Sequence, residues 1–244
     1  MRPSRPAKVA SQSLAAFAIA LLAFGAARGE SVSLTPVADN TVFQGSVGGG
    51  NPDNFEDNSC GAGTSVYSGR TDAAFFRRAL MKFNIAASIP AGATITSATL
   101  TMVVTRSRDN QNATMTLHRL TRNWGEGSAN CADGKGVSAN AGDATWLSAQ
   151  HQQVAWTTAG GDFSAASASA SVGRQNNSVG TWSSTAPGNA AMVTDIQNWL
   201  NTPAANNGWA IVGDEARNKT ARQFASRESG TTTNRPTLVV NFTP

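Results

Sequence analysis

Histidine, cysteine and tyrosine are scarce here: two, two and one of them in 244 residues. His118 and His151 are far apart and neither has metal-ligand spacing. No GxSxG elbow, no HExxH and no Gly-rich loop ending in Gly-Lys-Ser/Thr occurs, so the common signatures of serine hydrolases, zinc proteases and P-loop nucleotide binders are missing. The most apolar run, Ser13 to Ala27 (SLAAFAIALLAFGAA), falls short of the ~20 residues a membrane-crossing helix needs. Charge of one sign is missing too, once the N-terminus is set aside.

That N-terminus has the layout of a secretory signal peptide. Arg2, Arg5 and Lys8 precede the apolar run, and Ala27-Arg28-Gly29 puts small residues at positions −3 and −1 before Glu30. The expectation is a signal peptide over residues 1–29, a mature chain of 30–244 as one domain, a secreted protein and no membrane span after signal removal. Four of the 19 basic residues lie in the signal, leaving 15 against 15 acidic ones. The excess of positive charge in the full sequence thus belongs to the precursor, and a nucleic-acid partner loses its electrostatic support.

Export gives the two cysteines a meaning. Cys60 (NSCGAG) and Cys131 (SANCADG) sit in small, polar loop sequence, and in an oxidising compartment one bridge between them is the default. The alternative, a nucleophilic or metal-bound thiolate, has no adjacent histidine and no CxxC partner.

What is abundant is strand pattern. Ala93 to Thr105 (ATITSATLTMVVT) alternates apolar residues with Thr and Ser, and Asn112 to Leu120 and Arg77 to Ile85 repeat the period of two. Gly208 to Gly213, Ala221 to Ser226 and Pro236 to Phe242 read as short strands. Only Ala191 to Leu200 (AMVTDIQNWL) looks helical, with Met192, Ile196 and Trp199 on one stripe and Pro203 as the stop. The fold class is all-β, a sandwich with one short amphipathic helix covering an open end, and long loops. Gly48 to Gly63 and Gly125 to Pro187 form those loops, and Ser164 to Ser171 (SAASASAS) fits either a strand or an excursion.

Several residues carry candidate chemistry. Trp199 and Trp209 read as core. Trp124, Trp146, Trp156 and Trp182 lie among small polar neighbours, where an indole can stack on a sugar ring, and Arg122 stands beside the first of them. Asp53, Glu56 and Asp57 in NPDNFEDN offer the hard oxygens that calcium prefers, although without the EF-hand order; no other cofactor is implied. Glu126 and Asp143 are the candidates for a glycosidase carboxylate pair, beside the plainer reading that they satisfy turn amides.

Six segments resemble a known family: GRTDAAFFRRALMKFNIAASIPAGATITSATLTM (69–102), TLHRLTRNWGEG (116–127), AGDATWL (141–147), TTAGGDFSAASASASVG (157–173), NWLNTPAANNGWAIVGDE (198–215) and ARQFASRES…RPTLVV (221–240). In order and spacing they are similar to the DNRLRE-domain, or disaggregatase-related, family of secreted proteins, from about Asp39 to the end. The resemblance implies a jelly-roll-like β-sandwich, and some relatives are carbohydrate-binding modules. It also implies that RRALMKF, HRLTRNWGEG and FASRES are framework, with Arg78 and Arg227 as charge partners of acids such as Glu228 and with Arg119, Arg122, Trp124 and Glu126 pinning a long loop. Close relatives often end in a sorting anchor, whereas this sequence stops at Asn241-Phe242-Thr243-Pro244, which points to release.

The leading expectation is a non-catalytic module that binds an extracellular polysaccharide. A structural or adhesive protein of the cell surface or matrix, with a protein partner, is the alternative. A lyase or glycosidase using Tyr67, His118 or Glu126 is a third.

Overall fold

A computed structural model of the chain describes residues 28–45 and 55–244. Most of the signal segment, and Asp53, lie outside the described residues.

The strands follow the sequence as β1 (Glu30–Leu34), β2 (Ala38–Phe43), β3 (Asn58–Ser59), β4 (Ser65–Arg70), β5 (Phe76–Lys82), β6 (Thr94–Ser107), β7 (Ala113–Leu120) and β8 (Val137–Ser138). After them come β9 (Ser148–Gln150), β10 (Val154–Ala155), β11 (Phe163–Val172), β12 (Val179–Ser183), the helix α1 (Ala191–Asn201), β13 (Trp209–Val212), β14 (Arg222–Ala225) and β15 (Thr237–Thr243). One antiparallel sheet runs β1-β15-β6-β14-β4-β5-β13-β7-β11, with β12 also on β6 and β2 also on β5. It curls so that its two halves face each other as the layers of a sandwich, and the fold is all-β with a short helix.

The alternation in β6 is what builds the first layer. Ala98, Leu100, Met102 and Val104 are buried, with Thr and Val between them facing outward. Nearer the strand's start the buried residue is Ile95, out of phase with this set. The pairing with β15 explains the switch: Asn241 opposes Ser97, but Phe242 opposes Ile95, so one extra residue on β6 flips the face. Leu238, Val240 and Phe242 of β15 meet the same core.

The second layer is β2-β5-β13-β7-β11, and its strands β2, β5 and β13 are covered on both faces. Ala79 and Met81 of β5, and Trp209 and Ile211 of β13, point into the main core. Leu80 and Ala210, which face each other across β5 and β13, point the other way into a second apolar cluster with Val42 and Leu120. The segment between β7 and β11 folds back over this outer face.

Where β13 ends at Val212, opposite Arg78, β4 takes its place beside β5 by pairing Gly69 with Arg77. The exchange requires close contact. A Cβ on Gly213 would stand 2.6 Å from the Gly69 Cα, and Gly69 has φ of +116°, in the region open to glycine.

Helix α1 packs on β6 and β11 through Met192, Ile196, Trp199 and Leu200, all buried. Burying each such side chain contributes about 1.5–3 kcal/mol. Its buried Asp195 accepts from Trp209 Nε1 at 2.9 Å and pairs with Arg119 at 3.2 Å. Thr202 and Pro203 then end the helix in a single 3-10 turn. Among the described residues no helix is long and apolar enough to cross a membrane.

Candidate functional site

The loop tryptophans are interior side chains, which overturns the expectation that they stack on sugars. Trp124, Trp146 and Trp156 are 5–6% exposed and join Leu80, Leu120 and Ala210 in the second cluster, while Trp182 is 0% exposed in the main core. Three of the indole N–H groups are spent on backbone: Trp124 donates to Asn207 O, Trp156 to Thr145 O and Trp182 to Met115 O, at 2.8–2.9 Å. Trp146 lies under the Arg78 guanidinium, 4.9 Å from its ring centroid. The physical reason is the two-faced sheet: Leu80 and Ala210 need a cover, and the indoles supply its area.

The other candidates fall into separate places. Arg122 donates to Asp162 at 2.7 Å and to Thr157 at 3.0 Å, on a surface hollow of about 520 Å³ beside Phe163. Arg78 grips both oxygens of Glu215 at 2.8 and 2.9 Å. Asp143 accepts from the amides of Ser128 and Asn140. Both ring nitrogens of His118 are engaged, by Thr116 Oγ1 and Ser164 O. Glu56 is buried, which raises its pKa with help from neighbouring Asp57; Asp57 stands 3.5 Å from His151. Among the described residues no third potential ligand joins these two in a metal-sized group.

Cys60 and Cys131 are bonded, with Cα atoms 5.1 Å apart. The bridge ties the segment before β4 to the loop carrying Ala132, Asp133, Gly134 and Lys135. That loop forms one wall of a cleft of about 550 Å³, whose other walls come from the β4–β5 turn, the end of β6 and the start of β14.

Among the described residues, six basic and two acidic ones line this cleft. Two of the basic ones are its floor. Arg222, 0% exposed, is held by Asp109 at 3.3 Å and by the carbonyls of Gln111, Gly173 and Thr220. Arg77 donates to the carbonyls of Gly134, Gln44 and Phe76 at 2.7–2.8 Å and lies over the rings of Phe43 and Phe55. Burial pushes its pKa down to about 10, with Asp133 opposing, so it stays a cation at neutral pH.

The other four, Arg106, Arg108, Lys135 and Lys219, are exposed. Among the described residues only Arg108 has an acidic partner, Asp72, at a loose 3.7 Å. Apolar surface comes from Phe55, Phe75 and Tyr67, and the Lys135 ammonium sits 5.7 Å from the Phe55 ring. Burial, then Asp133, pushes the Tyr67 phenol up to about 12, against Arg106. Tyr67 is therefore a hydrogen-bond donor at neutral pH and a poor base. Cationic side chains around a partly aromatic cleft suit an anionic ligand with apolar faces.

Residues 30–134 match the family model for carbohydrate-binding module family 96. The matched region supplies three of the cleft's sides, including Tyr67, Arg77, Arg106 and Arg108; Lys135, Lys219 and Arg222 lie beyond it. No match is found among curated proteins.

The cleft residues were open to sequence reading only in part. Tyr67 stood out by being single, but Arg106, Arg108, Lys135 and Lys219 sit in three distant segments with no local pattern, and only the tertiary fold brings them together.

Proposed function

We propose that residues 30–244 form one secreted, non-catalytic module that binds an acidic extracellular polysaccharide in this cleft. Arg106, Arg108, Lys135 and Lys219 meet the carboxylates or sulfates of successive sugars, while half-buried Phe75 contacts a ring face. The observation that carries the reading is the excess of basic side chains, four of them exposed, around one cleft of a chain whose sequence from residue 30 onward is electrically balanced. The similarity of residues 30–134 to a carbohydrate-binding family supports it, and so does the resemblance to DNRLRE-domain proteins.

Replacing all four exposed basic residues with Gln tests the site. Exposed positions of this kind change stability by about 0.5 kcal/mol or less each, so the variant folds. Binding to a polyuronate should fall by at least tenfold, and the remaining affinity should depend less on salt. Unchanged affinity would remove the cleft from the account. A chain that ignores every polysaccharide but captures a matrix protein would favour the adhesive reading.

A further inference from the structure

Away from the cleft, three carboxylates converge on one guanidinium. Asp39 of β2, Glu126 of the loop after β7, and Glu228 after β14 each place a carboxylate oxygen within 4.8 Å of the others. Arg227 donates Nε to Glu126 Oε1 at 2.6 Å and Nη2 to Oε2 at 3.1 Å. Glu126 Oε1 also accepts the Asp39 amide at 2.9 Å, and Asp39 Oδ2 accepts the Arg227 amide at 2.7 Å.

This network leaves oxygen unused. Asp39 is 0% exposed, yet among the described residues its Oδ1 has no partner; Glu228 Oε2 is also buried without one. Glu228 Oε1 lies 2.7 Å from Arg227 Nε, whose single proton already goes to Glu126. Among the described residues no other cationic side chain pairs with the three. Three ionised carboxylates against one guanidinium would leave two negative charges, burial accordingly pushes the Asp39 and Glu228 pKa values up, and buried carboxylate oxygens without donors are costly.

We propose that Asp39, Glu126 and Glu228 bind one calcium ion. Two oxygens on the same calcium, each at about 2.3–2.6 Å, stand at most about 5 Å apart, which the cluster satisfies. A divalent ion cancels the residual charge and uses the two orphan oxygens. The donor set is all oxygen and irregular, because Arg227 already holds part of it, and calcium accepts irregular sets where magnesium demands an octahedron. The ion would clamp β2 to two segments distant in sequence. The same clamp borders the disulfide, since Asn40 donates to Glu126 O and accepts the Cys60 amide.

The test needs no polysaccharide. Metal-stripped chain, residues 30–244, is titrated with calcium chloride by calorimetry and melted with and without calcium. One equivalent should bind, and at 100-fold excess over Kd the melting temperature should rise by about 5–10 °C. Glu228→Gln, at a half-buried position, should weaken binding at least tenfold, as should Asp39→Asn, while Asp57→Asn in the acidic loop leaves it unchanged. No heat and no shift for the wild-type chain at calcium on the order of 10 mM, above the weakest extracellular range, would overturn the proposal. So would an unchanged Kd in Glu228→Gln, an effect found only in Asp57→Asn, or an equal response to magnesium.

Discussion

Trp156→Ala separates two roles for the loop tryptophans. The side chain is 6% exposed, packs in the second cluster beside Trp146 and Leu80, and donates to Thr145 O at 2.9 Å. Truncating a buried aromatic to alanine costs about 3–5 kcal/mol from lost transfer energy and the cavity left behind. The Thr145 carbonyl, in a residue that is itself 0% exposed, loses its donor, which pushes the cost toward the upper end. For a chain of this size a loss of 1 kcal/mol lowers the melting temperature by about 2–4 °C, so the variant should melt about 6–20 °C lower. Urea unfolding followed by circular dichroism gives the free energy directly, and the slope with denaturant should stay that of the parent. Below the transition, polysaccharide affinity should be unchanged, because Trp156 is not among the residues lining the basic cleft. A loss of stability under about 1 kcal/mol, a small fraction of the cavity cost, together with lost binding, would refute the second-core argument and restore sugar stacking.

Other consequences are as specific. Replacing Cys60 and Cys131 by Ser should cost up to about 4 kcal/mol, since the bridge spans 71 positions; an unchanged urea midpoint would contradict it. Asp109→Ala strands Arg222, whose side chain is 0% exposed, and should destabilise by about 3–5 kcal/mol, whereas a neutral result would mean the guanidinium finds other partners. Burial alone would raise the Asp162 pKa, but the Thr157 and Thr158 amides and Arg122 outweigh it and hold it below the usual carboxylate value. Its stabilisation is then complete above the unfolded-state value of about 3.9 and is lost as pH falls through the lower folded value. Asp162→Asn should accordingly flatten the acid side of the stability profile; an identical profile would contradict the assignment.

The long strands were legible because one face is wet. Thr between Leu100, Met102 and Val104 reports a period of two, and the stripe of Met192, Ile196 and Trp199 reports a helix. β2 was missed because its sequence, ADNTVF, is buried along almost its whole length and carries Asp39, Asn40 and Thr41 inside, so no alternation survives. The second core did leave a trace. Ala79-Leu80-Met81 and Trp209-Ala210-Ile211 are unbroken apolar runs, the mark of a strand covered on both faces, and they imply an apolar cover somewhere in the chain. That the cover would be Trp124, Trp146 and Trp156 depended on where a long excursion lands, which local sequence does not encode. The SAASASAS stretch became β11, an edge strand with two register shifts against β7, too weakly alternating in hydrophobicity to be told from a loop.

The most direct measurement is calorimetric titration of residues 30–244 with a panel of acidic and neutral oligosaccharides, repeated at about 0.05 M and 0.5 M salt. Saturable binding to an acidic class, weakened at the higher salt as screening shortens the reach of Arg106, Arg108, Lys135 and Lys219, is the expected result. Binding confined to neutral sugars, or an acidic ligand held equally at both salts and by the four-fold Gln variant, would contradict the assignment of the cleft.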